Sequence, residues 1–249
     1  MQQLDYKSIA GLVDAAQAAG EAVSAVVLRQ QAAELSQSEE QVYQEMLARY
    51  RVMAGWTGGG AFKVRRAVEA GRSLTGSVLG GALYRALAVS ELNAAMGRVV
   101  AAPTAGSCGI LPAAVLTMQA EKGCTERACV LSLFTASAAM AAGALVELAG
   151  GSPAQLADAV AIALKNVLGL VCDPVAGLVE IPCIKRNASG VAGAFVAAEL
   201  ALAGMGSAIP ADEVIWAMKK VGEGMPAALK ETAEGSLAAT PTARALHQQ

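Results

Sequence analysis

The sequence predicts an all-α fold: a compact helical domain whose irregular Gly/Pro-rich loops carry the site. Three observations predict it. Hydrophobic residues make up 55% of the 249 positions while aromatics are only 4%, so the apolar content is mostly Ala, Val, Leu, Ile and Met, and Ala gives up no side-chain entropy in a helix. Helix caps and stops punctuate the chain at helical lengths. Period-2 alternation is almost absent and no βαβ rhythm appears. Charged residues are 16% against a usual share of roughly 25%. This excludes a disordered chain, and a net charge of −2 argues against nucleic-acid binding. Low charge with high apolar content also implies an oligomer, with surface buried against a partner chain.

The chain reads as one domain over 1–249, with a polar helical arm at 1–53 and a helical core at 54–249. The arm holds two or three amphipathic helices, and Ser38 with Gln41 forms a capping box for a helix over 39–53. A glycine run at 55–60 leads into a helix over 61–71. Its Gly58–Gly60 with Lys63 lacks the spacing and the preceding strand of a phosphate loop. A helix bearing Glu91 and Asn93 runs to Gly97. Residues 102–109, Ala-Pro-Thr-Ala-Gly-Ser-Cys-Gly, make a tight turn that can approach a ligand closely. A further helix starts near Pro112.

Ser152-Pro153-Ala154-Gln155 combines a Ser N-cap, Pro at the first position and Gln at the third. The helix it opens runs to Leu168 and stops at Gly169. Residues 170–187 are irregular. A helix follows over 188–204, then a shorter amphipathic one over 211–221, then a polar, turn-rich tail from 235. The apolar stretches at 136–148 and 188–209 are read as buried helices. The first is too short for a bilayer, which needs ~20 residues, and the second carries Glu199 and four glycines. The amino terminus has no basic region before an apolar run. No membrane association is expected, and the five cysteines without a dense framework fit a reducing cytoplasm.

The sharpest chemical signal lies at 172–187, where Cys172 and Cys183 flank a loop and Lys185, Arg186 and Asn187 follow. The two cations suit lowering a thiolate pKa or holding a carboxylate. The other reading is two buried cysteines acting as small hydrophobes. In the turn before helix 112, Thr104 and Ser107 offer hydroxyls and the glycines offer backbone N–H groups to an anion, or the segment is a plain interhelical turn. The one histidine, His247, stands two residues from the end. A nucleophilic triad or a His-ligated zinc is therefore poorly supplied. An enzyme built on this chain must draw on cysteine-bound metal, a lysine, or another chain.

The loop CDPVAGLVEIPCIKRNA, the turn APTAGSCGILPA, the segment SELNAAMGRVVAAPTAG and the tail GSLAATPTAR together resemble the α subunit of iron–sulfur-dependent L-serine dehydratase. The resemblance covers almost the whole chain. It implies an all-helical catalytic chain that works with a separate β subunit and converts L-serine to pyruvate and ammonia. It implies a [4Fe–4S] cluster, with Cys172 and Cys183 matching two of three cluster cysteines. An iron left open by three thiolates acts as a Lewis acid on the serine hydroxyl. Lys185 is the base candidate in this chain, and the family implies a His-bearing motif of the β subunit. Thr104, Ser107 and Asn187 are the substrate-side donors. A pyridoxal-phosphate enzyme would need an α/β fold and a Schiff-base lysine loop, and neither is read here.

The chain departs from the family at one place. There a glycine-rich segment with a Gly-Gly-Cys-Gln core supplies the third cysteine, whereas here Leu133-Phe134-Thr135 runs straight into Ala136. Cys108, Cys124 and Cys129 are the spare cysteines: Cys108 lies in the glycine turn, from which it can approach the site, Cys129 is close in sequence to the junction, and Cys124 is less favourably placed. The alternative to an active subunit is a catalytically inactive α-like chain that serves as scaffold or assembly partner.

Overall fold

Residues 8–53, 59–95, 99–102, 104–178 and 180–246 are described in the structure, a computed structural model. His247, part of the glycine run at 55–60, and Pro103 lie outside them. Among the described residues the fold is all-α, with eleven α-helices and a single isolated parallel bridge, Cys172 with Lys230.

Helices α1 (Ile9–Ala19), α2 (Val23–Leu35) and α3 (Glu39–Met53) form the amino-terminal part. The expected box closes on α3: Gln41 N donates to Ser38 Oγ at 3.2 Å and Ser38 N donates to Gln41 Oε1 at 2.9 Å. These helices are more than a polar arm. Leu12, Ala16, Val23, Val26, Val27, Leu28, Ala32 and Val42 are buried in the same apolar cluster as the helices that follow. Leu and Val on one face of each helix outweigh the polar composition of the other face.

Helices α4 (Gly60–Glu69), α5 (Gly76–Ala94) and α6 (Ile110–Lys122) come next. Helix α6 starts two residues before Pro112, because proline is tolerated in a first turn whose N–H groups need no helical partner. Helix α5 packs on α4, α6 and α9 (Cys183–Leu202). A buried arginine on α5, Arg85, donates to Thr117 on α6 at 3.2 Å.

Helix α7 (Glu126–Leu148) is one helical segment in sequence but is not straight. The Thr135 hydroxyl donates to the Glu147 carboxylate twelve residues on, and Cys124 Sγ lies 3.9 Å from Leu148 O. A straight helix separates residues twelve apart by about 18 Å. The chain therefore turns back within α7, and the turn falls at Met140, whose φ is +66°. Its two halves form a helical hairpin with almost no loop.

Helix α8 (Pro153–Lys165) carries the predicted cap: Ser152 Oγ accepts from Gln155 N, and Gln155 Oε1 accepts from Ser152 N. It ends three residues earlier than expected, in a turn over 166–169. The short connection from α7 makes α8 run back along the second half of α7, towards the Met140 end. Helix α9 returns along α8, and Gln155 Nε2 donates to Ala201 O and Leu202 O at 3.3 and 3.4 Å. The loop from α8 to α9 thus leaves the bundle at the Met140 end. Helix α10 (Ala211–Gly224) packs on α8 and α1, and its Asp212 caps α1 by accepting from Ile9 N and Ala10 N at 2.8 and 2.9 Å. The tail ends in a short helix, α11 (Pro241–Leu246). No single described helix is long and apolar enough to cross a membrane.

Candidate active site

The two loops singled out in the sequence meet. The turn Ala105–Ser107 is a single 3-10 turn between α5 and α6, and Thr104 and Ser107 close it reciprocally: Ser107 N donates to Thr104 Oγ1, and Thr104 N donates to Ser107 Oγ, each at 3.3 Å. Their hydroxyls are 3.0 Å apart. Thr104 is exposed and Ser107 half-buried, so both keep capacity for an outside group.

Asn187 fastens this turn to the cysteine loop. Helix α9 begins at Cys183, five residues earlier than the sequence suggested, because Pro182 can precede a helix and Asn187 Nδ2 donates back to Cys183 O at 2.9 Å. The same amide donates to Gly106 O at 2.7 Å, and its Oδ1 accepts from Gly109 N at 2.9 Å. Asn187 is 2% exposed and all three interactions are spent inside the fold. Its geometry is that of a clamp between turn and helix rather than a donor to a substrate. Gly109 makes the approach possible: a Cβ there would stand 2.4 Å from Ala86 O and 2.7 Å from Ser90 Oγ on α5.

Two further residues of α5 join the site. Asn93 Nδ2 donates to Ala105 O at 3.2 Å. Glu91 accepts from Gly60 N at 2.6 Å and Ala61 N at 3.3 Å, capping α4. A Cβ on Gly60 would fall 2.7 Å from that carboxylate, so a glycine at this position serves close approach to Glu91.

Cys172 and Cys183 are both half-buried and close enough for the charge of one to act on the other. Burial is the main cause that pushes both thiols above the ordinary value of 9.0. Glu231 and Asp173 push the same way, and Arg186 opposes them without prevailing. The expected depression of the thiol pKa is thus reversed. Arg186 fulfils its other expectation and holds a carboxylate: Nη2 donates to Asp173 Oδ1 at 3.0 Å and Nη1 to Val171 O at 2.7 Å. Asp173 is 1% exposed, and its Oδ2 accepts from Leu237 N at 2.9 Å. Despite burial, which pushes it up, hydrogen bonds from Leu237, Ser236 and Arg186 bring its pKa below the ordinary 3.8.

Lys185 does not join the others. It is exposed, and at ~100° per residue it stands about 200° round α9 from Cys183, whereas Asn187 shares the Cys183 face.

The donor set does not fit a three-cysteine cluster. All five cysteines are among the described residues and none is in a disulfide. Cys108 is fully buried against Val89 O, and burial pushes its thiol up to about 11. Cys129 is buried with its Sγ 3.8 Å from Val115 O, and Cys124 faces Leu148. Among the described residues no group of three or more His, Cys, Asp and Glu side chains is placed to hold a metal ion.

Comparison with known proteins gives one consistent result. The family model for the serine dehydratase alpha chain matches residues 7–138 and again 128–238. A Bacillus subtilis protein named as a probable L-serine dehydratase alpha chain is 42% identical over 267 residues, covering 91% of this chain and 89% of its own. The L-serine dehydratase alpha chain of Peptoniphilus asaccharolyticus is 44% identical over 207 residues, with 72% and 70% covered. An L-serine dehydratase of Streptomyces coelicolor is 36% identical over 271 residues, covering 91% of this chain and 59% of its own length. Alignments of 267 and 271 residues exceed the 249 of this chain, so these relatives carry positions with no counterpart here. The two family matches overlap at 128–138, within the first half of α7 and just before the turn at Met140. With near-complete family matching and shared identity of this order, the chain belongs to the serine dehydratase alpha-chain family.

Proposed function

We propose that this chain is the α subunit of an L-serine dehydratase, working in the cytoplasm as an oligomer with a separate β subunit. The supporting observation is the Asn187 clamp, which ties the turn carrying Thr104 and Ser107 to the start of α9 at Cys183, with Cys172 close enough to Cys183 for their charges to interact. Dehydration of L-serine removes the α-proton and expels the β-hydroxyl as water, and the enamine product hydrolyses to pyruvate and ammonia. In this chain Thr104 and Ser107 present hydroxyls to the polar groups of the substrate, Asn187 holds their turn against α9, and Cys172 and Cys183 offer two thiols. Lys185 is exposed and stands on a different face of α9 from Cys183, and the base is assigned to the His-bearing motif of the β subunit that the resemblance implies.

The [4Fe–4S] cluster that the resemblance implies is not supplied with its three thiolates by this chain alone. The test is the complex of both chains, purified without oxygen and given L-serine. Pyruvate formation, abolished by Cys172→Ala or Cys183→Ala with the complex intact, supports the reading.

A second reading rests on the same donor set: an inactive α-like chain that assembles with the β subunit as a scaffold. It predicts a stable complex that holds no iron after anaerobic reconstitution with iron and sulfide, and forms no pyruvate.

A further inference from the structure

The segment after α10 is bonded to the cysteine loop at points that the reaction leaves unused. Cys172 N donates to Leu229 O at 3.1 Å, and Glu231 N donates to Cys172 O at 2.7 Å. Eight residues beyond Leu229, Leu237 N donates to buried Asp173. Helix α11 then packs on the turn Val175–Gly177 inside the loop. Asp173 is where these ties converge. It follows Cys172, it pairs with Arg186 three residues past Cys183, and it takes the tail through Leu237. One carboxylate thereby joins both ends of the loop to a third stretch of chain.

Between its two ties the tail follows a costly path. Glu231, Ala233 and Ser236 have φ of +62°, +58° and +51°, the left-handed region that side chains disfavour. Ala176 inside the loop has φ +57°. Such residues persist only where surrounding contacts over-determine them, and the ties on either side of the three tail positions supply those contacts.

We propose that residues 229–237 form a strap that holds the cysteine loop against α9, with Asp173 as its buried pin. The strap sets how the two thiols are placed and how far solvent reaches them. Asp173 is accordingly a positioning residue, acting through Cys172 and Cys183. Since the strap acts on the thiols themselves, its test needs no turnover and stands apart from the dehydratase reading.

The test is the limiting rate at which iodoacetamide modifies each cysteine of the full chain, resolved by peptide mass spectrometry and taken from a pH series that separates thiolate fraction from access. Half-buried Cys124, engaged with Leu148, is the internal control. Asp173→Asn is expected to raise the rates at Cys172 and Cys183 about tenfold or more while Cys124 and the helical circular dichroism stay unchanged, since opening is local when few contacts hold a segment. Ala233→Gly removes the left-handed penalty without touching a charge or a hydrogen bond, and is expected to slow both rates about two- to fivefold. Unchanged rates at both thiols in folded Asp173→Asn overturn the proposal. Should Asp173→Asn also open the buried Cys108 and Cys129, the chain has unfolded and Ala233→Gly decides: slower modification of the pair supports the strap, unchanged or faster modification overturns it.

Discussion

Asn187 shows how one side chain can organise a site without touching a substrate. Its amide fills three roles inside the fold, and removing it leaves Gly109 N buried without its acceptor. Asn187→Ala is expected to destabilise the chain by about 1–3 kcal/mol, measured by urea denaturation. Gly109→Ala forces a Cβ against Ala86 O and is expected to cost about the same through overpacking. Asp173 carries a pH dependence. Its folded-state pKa lies below 3.8, so its contribution to stability is full above that value and is lost as the pH falls through the folded value. Wild type and Asp173→Asn should therefore differ in denaturation midpoint at neutral pH and converge as the pH drops below 3.8. Cys172, Cys183, Thr104, Ser107 and Asn187 were all legible as motif residues. The tie between Asp173 and Leu237 was not, because the two lie 64 positions apart and neither residue type announces a long-range partner. The pKa direction of the thiols was misread for a related reason: sequence shows the neighbouring cations but not the burial that outweighs them.

At the scale of elements, the caps of α3 and α8 follow from local chemistry and were legible to the residue. Ser152→Ala is expected to cost about 1 kcal/mol, read in the same denaturation assay. The start of α9 was not legible, since it depends on Asn187 reaching back to Cys183 and forward to a turn near residue 106. The turn within α7 was also hidden. The largely apolar run over 136–148 reads as one helix, and the contacts of Thr135 with Glu147 and of Cys124 with Leu148 reveal the fold-back. Relatives carry extra positions, and the resemblance puts a glycine-rich segment where α7 now turns at Met140. The chain closes the gap with one left-handed residue, exposed to 44%. Met140→Gly is expected to stabilise the protein by about 0.5–1 kcal/mol, the left-handed penalty less the greater chain entropy of glycine. Equal or lower stability would contradict the strain at this turn.

For the whole molecule, the sequence predicted the class but not how the amino-terminal helices pack. Polar composition marks the outer faces of α1 to α3, while tertiary packing decides that their apolar faces join the common core. Asp212 of α10 capping α1 ties the amino-terminal helix to a late one, a link that no local pattern encodes. The site end of the bundle gathers three features: the cysteine loop leaving α8, the turn at Thr104–Ser107 and the closure at Met140. Two thiols stand where the family resemblance implies three. The most direct measurement is pyruvate formation from L-serine by the anaerobically purified complex with the β subunit, with this chain's intact mass confirmed. The expected result is turnover that Cys183→Ala abolishes while the complex persists. A stable complex that forms no pyruvate would contradict it and leave the scaffold.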